Sequence, residues 1–203
     1  MVYNIAGGHY PGNPDPEPYF ENLGGDFMNL ELVDRTPDGG RVLIPKKSGR
    51  KITSHNVPTK VNRGGVGLKR LPLLDVNNVY SCLMVNQSFK DILEELEPDV
   101  HQFFPMAVMV KGEKIADHYW LNICNRLDTV HKTLCVPPLN EYGRYNPDPS
   151  NPDAKIVFDA KAIGGHHAWH DKFQGGTFIS ETFAERLQEA GVTGVGYGKF
   201  EQA

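Results

Sequence analysis

Phe89, Ile92, Leu93 and Leu96 are spaced three and four apart, so a helix over residues 88–96 carries them on one face, and Pro98 stops it. Ser88 is the predicted N-cap, with Asp91 as a weak capping-box partner. The spacing returns in Phe183, Ala184, Leu187 and Ala190, between a capping Ser180 and a C′ glycine at Gly191. Other apolar runs are short and lack the helical period. Those at 103–110, 113–116 and 119–124 predict an antiparallel meander, with Lys111-Gly112 as its first bend. Residues 41–45, 129–136, 155–160 and 192–200 read as further strands, and 27–33 as a strand or a single helical turn. Two more apolar runs lie at 71–76 and 79–85. The expected fold class is α+β, with predominantly antiparallel strands, a few short helices and long Pro/Gly-rich loops.

Composition supports the loops. Pro and Gly supply 36 of the 203 residues, and residues 137–154 are a polar stretch of repeated proline with no helical period. At 39% apolar and 10% aromatic, the chain nevertheless carries enough to build a core. Near the start, Pro11, Pro14, Pro16 and Pro18 oppose helix, and Tyr3, Tyr10, Tyr19 and Phe20 suggest an arm anchored across the surface. Residues 1–70 are therefore expected to form this arm and a basic β/loop subregion packed on a main α+β domain at 71–203. Neither a leader pattern nor an apolar stretch of about 18 residues is evident, so a cytoplasmic chain without membrane association is expected. Cys82, Cys124 and Cys135 are widely separated and odd in number, which suits reduced core thiols better than a disulfide framework or zinc site.

Net charge is −4 but unevenly spread: from Arg35 to Arg70 ten Lys or Arg face the single acid Asp38. Lys46, Lys47, Arg50 and Lys51 are therefore candidates for binding an acidic protein, against the simpler reading of a solvated loop. Nucleic acid is disfavoured, because no aromatic ring interleaves these cations to stack a base. The run Asn62-Arg63-Gly64-Gly65-Val66-Gly67 lacks the lysine and spacing of a phosphate loop, which excludes a nucleotide site there.

The densest candidate chemistry lies between Ala162 and Ser180, where His166, His167 and His170 stand among aromatics and the pairs Gly164-Gly165 and Gly175-Gly176. The glycines predict a tightly bent corner between a strand and the last helix. No metal or cofactor is assigned, since the histidines lack both H-E-x-x-H spacing and a cysteine partner. No catalytic residue is assigned either. His166, His167, Trp169 and His170 either pack the corner or present a small protein-binding patch.

Three stretches carry a family resemblance: Leu96-Glu97-Pro98-Asp99-Val100-His101-Gln102-Phe103-Phe104-Pro105, Tyr119-Trp120-Leu121-Asn122-Ile123-Cys124-Asn125-Arg126-Leu127-Asp128, and Ile163-Gly164-Gly165-His166-His167 through Gly176-Thr177-Phe178. From about residue 70 onward the chain resembles the DUF1629 or Imm11 family, an immunity domain found with bacterial polymorphic toxins. The resemblance implies a cytoplasmic protein that binds and neutralises a cognate toxin effector, and it transfers no catalytic residue. Two alternatives stay open: an enzyme centred on His166, His167, His170 and Asp171 that modifies or restores a toxin target, and an effector-associated adaptor.

Overall fold

In a computed structural model that describes residues 1–10, 19–64 and 71–203, the described residues form two six-stranded sheets and three helices. Across the first sheet run β8 (Arg126–Leu127), β10 (Ala168–Asp171), β11 (Phe178–Ser180), β1 (Val2–Gly7), β12 (Val195–Gln202) and β9 (Val157–Phe158). The second runs β2 (Tyr19–Gly24), β3 (Lys60–Gly64), β6 (Gln102–Val110), β7 (Glu113–Asn122), β5 (Cys82–Val85) and β4 (Val76–Val79). Among the described residues, only the β8–β10, β9–β12 and β3–β6 pairs are parallel. The fold is α+β, with mixed, mostly antiparallel sheets and a few short helices.

Strand alternation explains how one chain fills three apolar clusters. In β5, Leu83 and Val85 join Ile5, Ala168 and Ile179 of the first sheet around the helices α1 (Gln87–Leu96) and α3 (Glu181–Glu189). Cys82 and Met84 point the other way, to Val108 and Trp120, under a cover of Phe27, Leu30, Leu32 and Ile52. Both faces of β5 are buried, which is why its sequence reads as a continuous apolar run. On the outer face of the first sheet, Val2, Trp169 and Phe178 pack beneath Val130, Cys135 and Ile156.

The expected helices form, with one change of cap. Asn86, not Ser88, caps α1, its side chain accepting the Phe89 amide at 3.0 Å while its own amide group donates to Asp75 at 2.6 Å. Ser180 caps α3 as expected, and Gly191 adopts φ +67° beyond its end. The 103–110 run turns back at Lys111-Gly112, both at positive φ, but the two runs after it merge into one strand, β7, which ends at Asn122. Polar His118, which interrupts the apolar pattern, is buried and bonded to the Leu74 carbonyl at 3.1 Å. Tyr80 and Ser81, also at positive φ, split the 79–85 run into the β4–β5 hairpin.

Five expectations are corrected. Residues 41–45 form no strand and lead into a single 3₁₀ turn, Pro45–Lys47. Residues 27–33 and 129–136 are irregular, held by isolated bridges such as Leu32 to Ile52 and Val130 to Phe158. Val2–Gly7 is no surface arm: it lies inside the first sheet, paired with both β11 and β12. The 155–160 run shrinks to β9, after which Asp159 caps the one-turn helix α2 (Ala160–Ile163). Pro11, Pro14, Pro16 and Pro18, and the Gly65-Val66-Gly67 portion of the glycine-rich run, lie outside the described residues.

Candidate functional site

The glycine-histidine segment is a corner, as its composition implies, but it contains a strand. Gly164 (φ +61°) ends α2 and Gly165 (φ +87°) turns the chain into β10. Alternation along β10 then sends Trp169 and Asp171 to one face and Ala168 and His170 to the other. Trp169 is fully buried, stacked on Phe178 with centroids 6.1 Å apart, and its Nε1 donates to Thr129 Oγ1 at 3.0 Å. The buried Asp171 carboxylate accepts from Thr129 N and Oγ1 (2.7 and 2.8 Å) and from the Phe173 and Gln174 amides (2.7 and 2.8 Å). All four donors are neutral, and the carboxylate's role is to pin three segments together.

The three histidines turn to three different partners. His170 is buried and donates from Nδ1 to the Gly176 carbonyl at 2.8 Å; burial pushes its pKa down to about 4, so the ring is neutral. His167 Nδ1 pairs with Ser180 Oγ at 2.8 Å, the same hydroxyl that caps α3. His166, 40% exposed, sets Nδ1 3.1 Å from Glu97 Oε1. His166 and His167 border a shallow cleft of about 300 Å³ with Gly165, Glu181 and Thr182. Among the described residues, no group of three or more His, Cys, Asp or Glu is placed to hold a metal ion. Burial also pushes the Cys82 thiol up to about 11 and the Cys124 thiol up to about 12, which keeps both protonated near neutral pH.

Glu97 is the centre the sequence did not announce. It follows α1 directly and is buried, with Oε1 accepting from Asn125 Nδ2 (2.8 Å) and facing His166, while Oε2 accepts from the Ala168 amide (2.9 Å) and faces His101 Nε2 (2.9 Å). Burial opposes its charge, yet the hydrogen bonds from His101, His166 and Ala168 outweigh it and hold the pKa below the usual carboxylate range. The carboxylate thereby ties the end of α1 to His101 just before β6, to Asn125 beyond β7, and to β10. All three stretches of the family resemblance supply a member of this network: Glu97 and His101, Asn125, and His166.

The basic segment is less available than its composition implies. Arg50 donates to Asp34 Oδ2 (3.2 Å) and to the Thr36 carbonyl (2.7 Å), and lies 3.3 Å from Asp38 Oδ2. Lys46 donates to the Tyr80 carbonyl at 3.1 Å. Lys47 and Lys51 remain exposed. Beside them the 30–45 loop forms a groove of about 560 Å³ walled by Leu30, Leu32, Val42 and Leu43, with Arg35, Asp38 and Arg41 at its polar edge. Val42 is 85% and Ile44 53% exposed, unusual for branched aliphatic side chains. Sequence reasoning counted the charges here and overlooked these apolar neighbours, although Val42 and Ile44 stood in the run assigned to a strand.

No helix among the described residues is long and apolar enough to cross a membrane. A comparison with curated proteins returns no match. A family model described as the immunity protein family (Imm11) matches residues 35–202, which takes in the 35–45 side of the groove, the Glu97 network and the glycine-histidine corner. The match begins well before residue 70, where the resemblance starts, and covers most of the chain, which therefore belongs to the Imm11 immunity-protein family.

Proposed function

We propose that this protein protects its producing cell by binding a cognate antibacterial toxin and blocking it stoichiometrically in the cytoplasm. Membership of the Imm11 family carries the reading, since it supports an immunity-type function and implies a toxin partner. Exposed aliphatic side chains beside Arg and Lys give the 30–51 region the mixture from which protein interfaces draw their anchors and their orientation. The test is co-expression with the toxins encoded next to it, followed by purification through a tag on the toxin. Survival of the cells and recovery of a one-to-one complex are expected. Loss of both with every neighbouring toxin overturns the reading, and a complex without survival reassigns the protein as an adaptor.

A further inference from the structure

The polar edge of the 30–45 groove is unbalanced. Its one carboxylate, Asp38, is already committed: Oδ2 accepts from Arg126 Nε at 2.6 Å and Oδ1 from Arg126 Nη2 at 3.0 Å. Arg50 lies 3.3 Å and Lys172 4.0 Å from the same carboxylate. The Arg126 guanidinium holds its pKa far below the usual carboxylate range. Arg41 stands in the opposite position. Its Nη2 donates to the Asp171 backbone carbonyl at 3.2 Å, whereas its Nε is buried with no partner among the described residues. Burial lowers the pKa of this guanidinium, and the like charges of Arg126 and Arg144 lower it further, against the opposing pull of Asp171. The Asp171 carboxylate is filled by its four neutral donors and forms no salt bridge with Arg41.

Arg41 lines the groove as a partly buried guanidinium among other cations, and because its Nε is sealed from solvent, an external carboxylate would meet it through the terminal amino groups in a charge-assisted contact. The neighbouring walls are apolar and open, and Val42 stands exposed on the rim. A ligand matching both features carries an acid beside an apolar side chain. No aromatic ring lines the groove, so it offers a nucleic acid phosphate attraction and nothing on which to stack a base. We propose that this groove is the docking site for an acidic segment of the toxin: an Asp or Glu of that segment pairs with Arg41, and an adjacent apolar side chain enters between Leu30, Leu32 and Leu43. The proposal rests on the toxin-binding reading and locates its contact.

The test measures binding of the purified neighbouring toxin to the full chain by calorimetry, at low and moderate salt, for wild type, Arg41→Gln and Val42→Glu. Val42→Glu sets a carboxylate at the groove mouth on an exposed side chain, so its thermal unfolding is expected to match wild type. Both variants are expected to weaken binding at least about tenfold, and Arg41→Gln to flatten the salt dependence. Wild-type affinity in both variants overturns the groove while leaving toxin neutralisation intact. Failure of wild type to bind any neighbouring toxin overturns both. A single-stranded oligonucleotide that binds wild type, loses affinity in Arg41→Gln, and binds where toxin does not, assigns the groove to nucleic acid and overturns the proposal.

Discussion

His101 Nε2 lies 2.9 Å from Glu97 Oε2 while its Nδ1 accepts the Cys124 amide at 3.1 Å. A nitrogen that accepts an N–H carries no proton, so the ring is the neutral Nε2–H tautomer and donates to the carboxylate. What looks by proximity like a buried ion pair is a charge-assisted hydrogen bond from a neutral ring. The arrangement avoids burying a second charge, and it makes Glu97 dependent on donors that cannot be replaced singly.

Glu97→Ala is expected to cost about 3 kcal/mol or more, because it strands the Asn125, Ala168 and His101 donors in the interior. Glu97→Gln is expected to cost roughly half as much: its oxygen can replace Oε2, and the half-exposed His166 can change tautomer to meet the new amide. Asn125 cannot turn its oxygen inward without abandoning the Ala168 carbonyl, which it bonds at 2.9 Å. Urea unfolding with an unchanged slope would give these differences. Equal stability of wild type and Glu97→Ala would show that the network is not structural.

His170 sets a pH dependence in the mildly acidic range. Its folded pKa is about 4, below the ordinary histidine value, because burial disfavours the imidazolium and Lys47, Arg41 and Arg126 add to that against the Gly176 hydrogen bond. Below about pH 6.5 the unfolded chain takes up a proton that the folded ring refuses. Stability from this group is therefore complete above that pH and is lost as pH falls toward 4, by on the order of 3 kcal/mol. Glu97, with a depressed pKa, adds its own loss as pH falls below about 4.5. His170→Asn keeps a donor for the Gly176 carbonyl and cannot titrate. Thermal unfolding of this variant should decline less than wild type between pH 6.5 and 4; an identical decline would rule out His170 as the source.

Legibility followed the range of the interaction. Helices α1 and α3 showed in the sequence because their period and the caps at Ser180 and Gly191 are local, as is the Lys111-Gly112 turn between β6 and β7. Strand β1 did not, because its register is set by Phe178 and Gly198, at the far end of the chain, while the prolines that follow it set the character of residues 1–26. The histidines are adjacent in sequence, yet the turn and β10 separate their directions, so clustering in the sequence gave no convergence in space. The charge of Arg50 was legible, and its neutralisation by Asp34 and Asp38 needed the loop closed around it.

The cap of α1 gives a local comparison. Asn86→Ala removes the acceptor for the Phe89 amide and the donor to Asp75, and is expected to lower stability by about 1–2 kcal/mol. Ser88→Ala alters the first turn without removing a cap, and is expected to change stability by less than about 0.5 kcal/mol. Chemical denaturation of the two variants side by side decides the matter, and the reverse order would restore Ser88 as the cap.

The two glycines of the last pair should behave oppositely. Gly176 has φ +132°, and a Cβ there would lie 2.2 Å from Asn4 Nδ2 and 2.9 Å from the Phe178 ring. The Asn4 amide and the tip of the Phe178 ring would both have to move, in addition to the strain of a φ that a residue with a Cβ rarely adopts. Gly176→Ala is thus expected to cost about 2 kcal/mol or more, and to move the carbonyl that His170 bonds, altering the pH profile with the stability. Gly175 lacks positive φ, and a Cβ there would approach only Arg41 Nη1, at 3.3 Å. The end of an arginine can yield, and alanine also restricts the unfolded chain, so Gly175→Ala should stay within about 0.5 kcal/mol of wild type. Because the displaced group is the guanidinium assigned to the toxin's carboxylate, the same variant should bind toxin more weakly despite its normal unfolding temperature. Normal affinity together with normal stability would mean that the position of Arg41 does not matter to the complex.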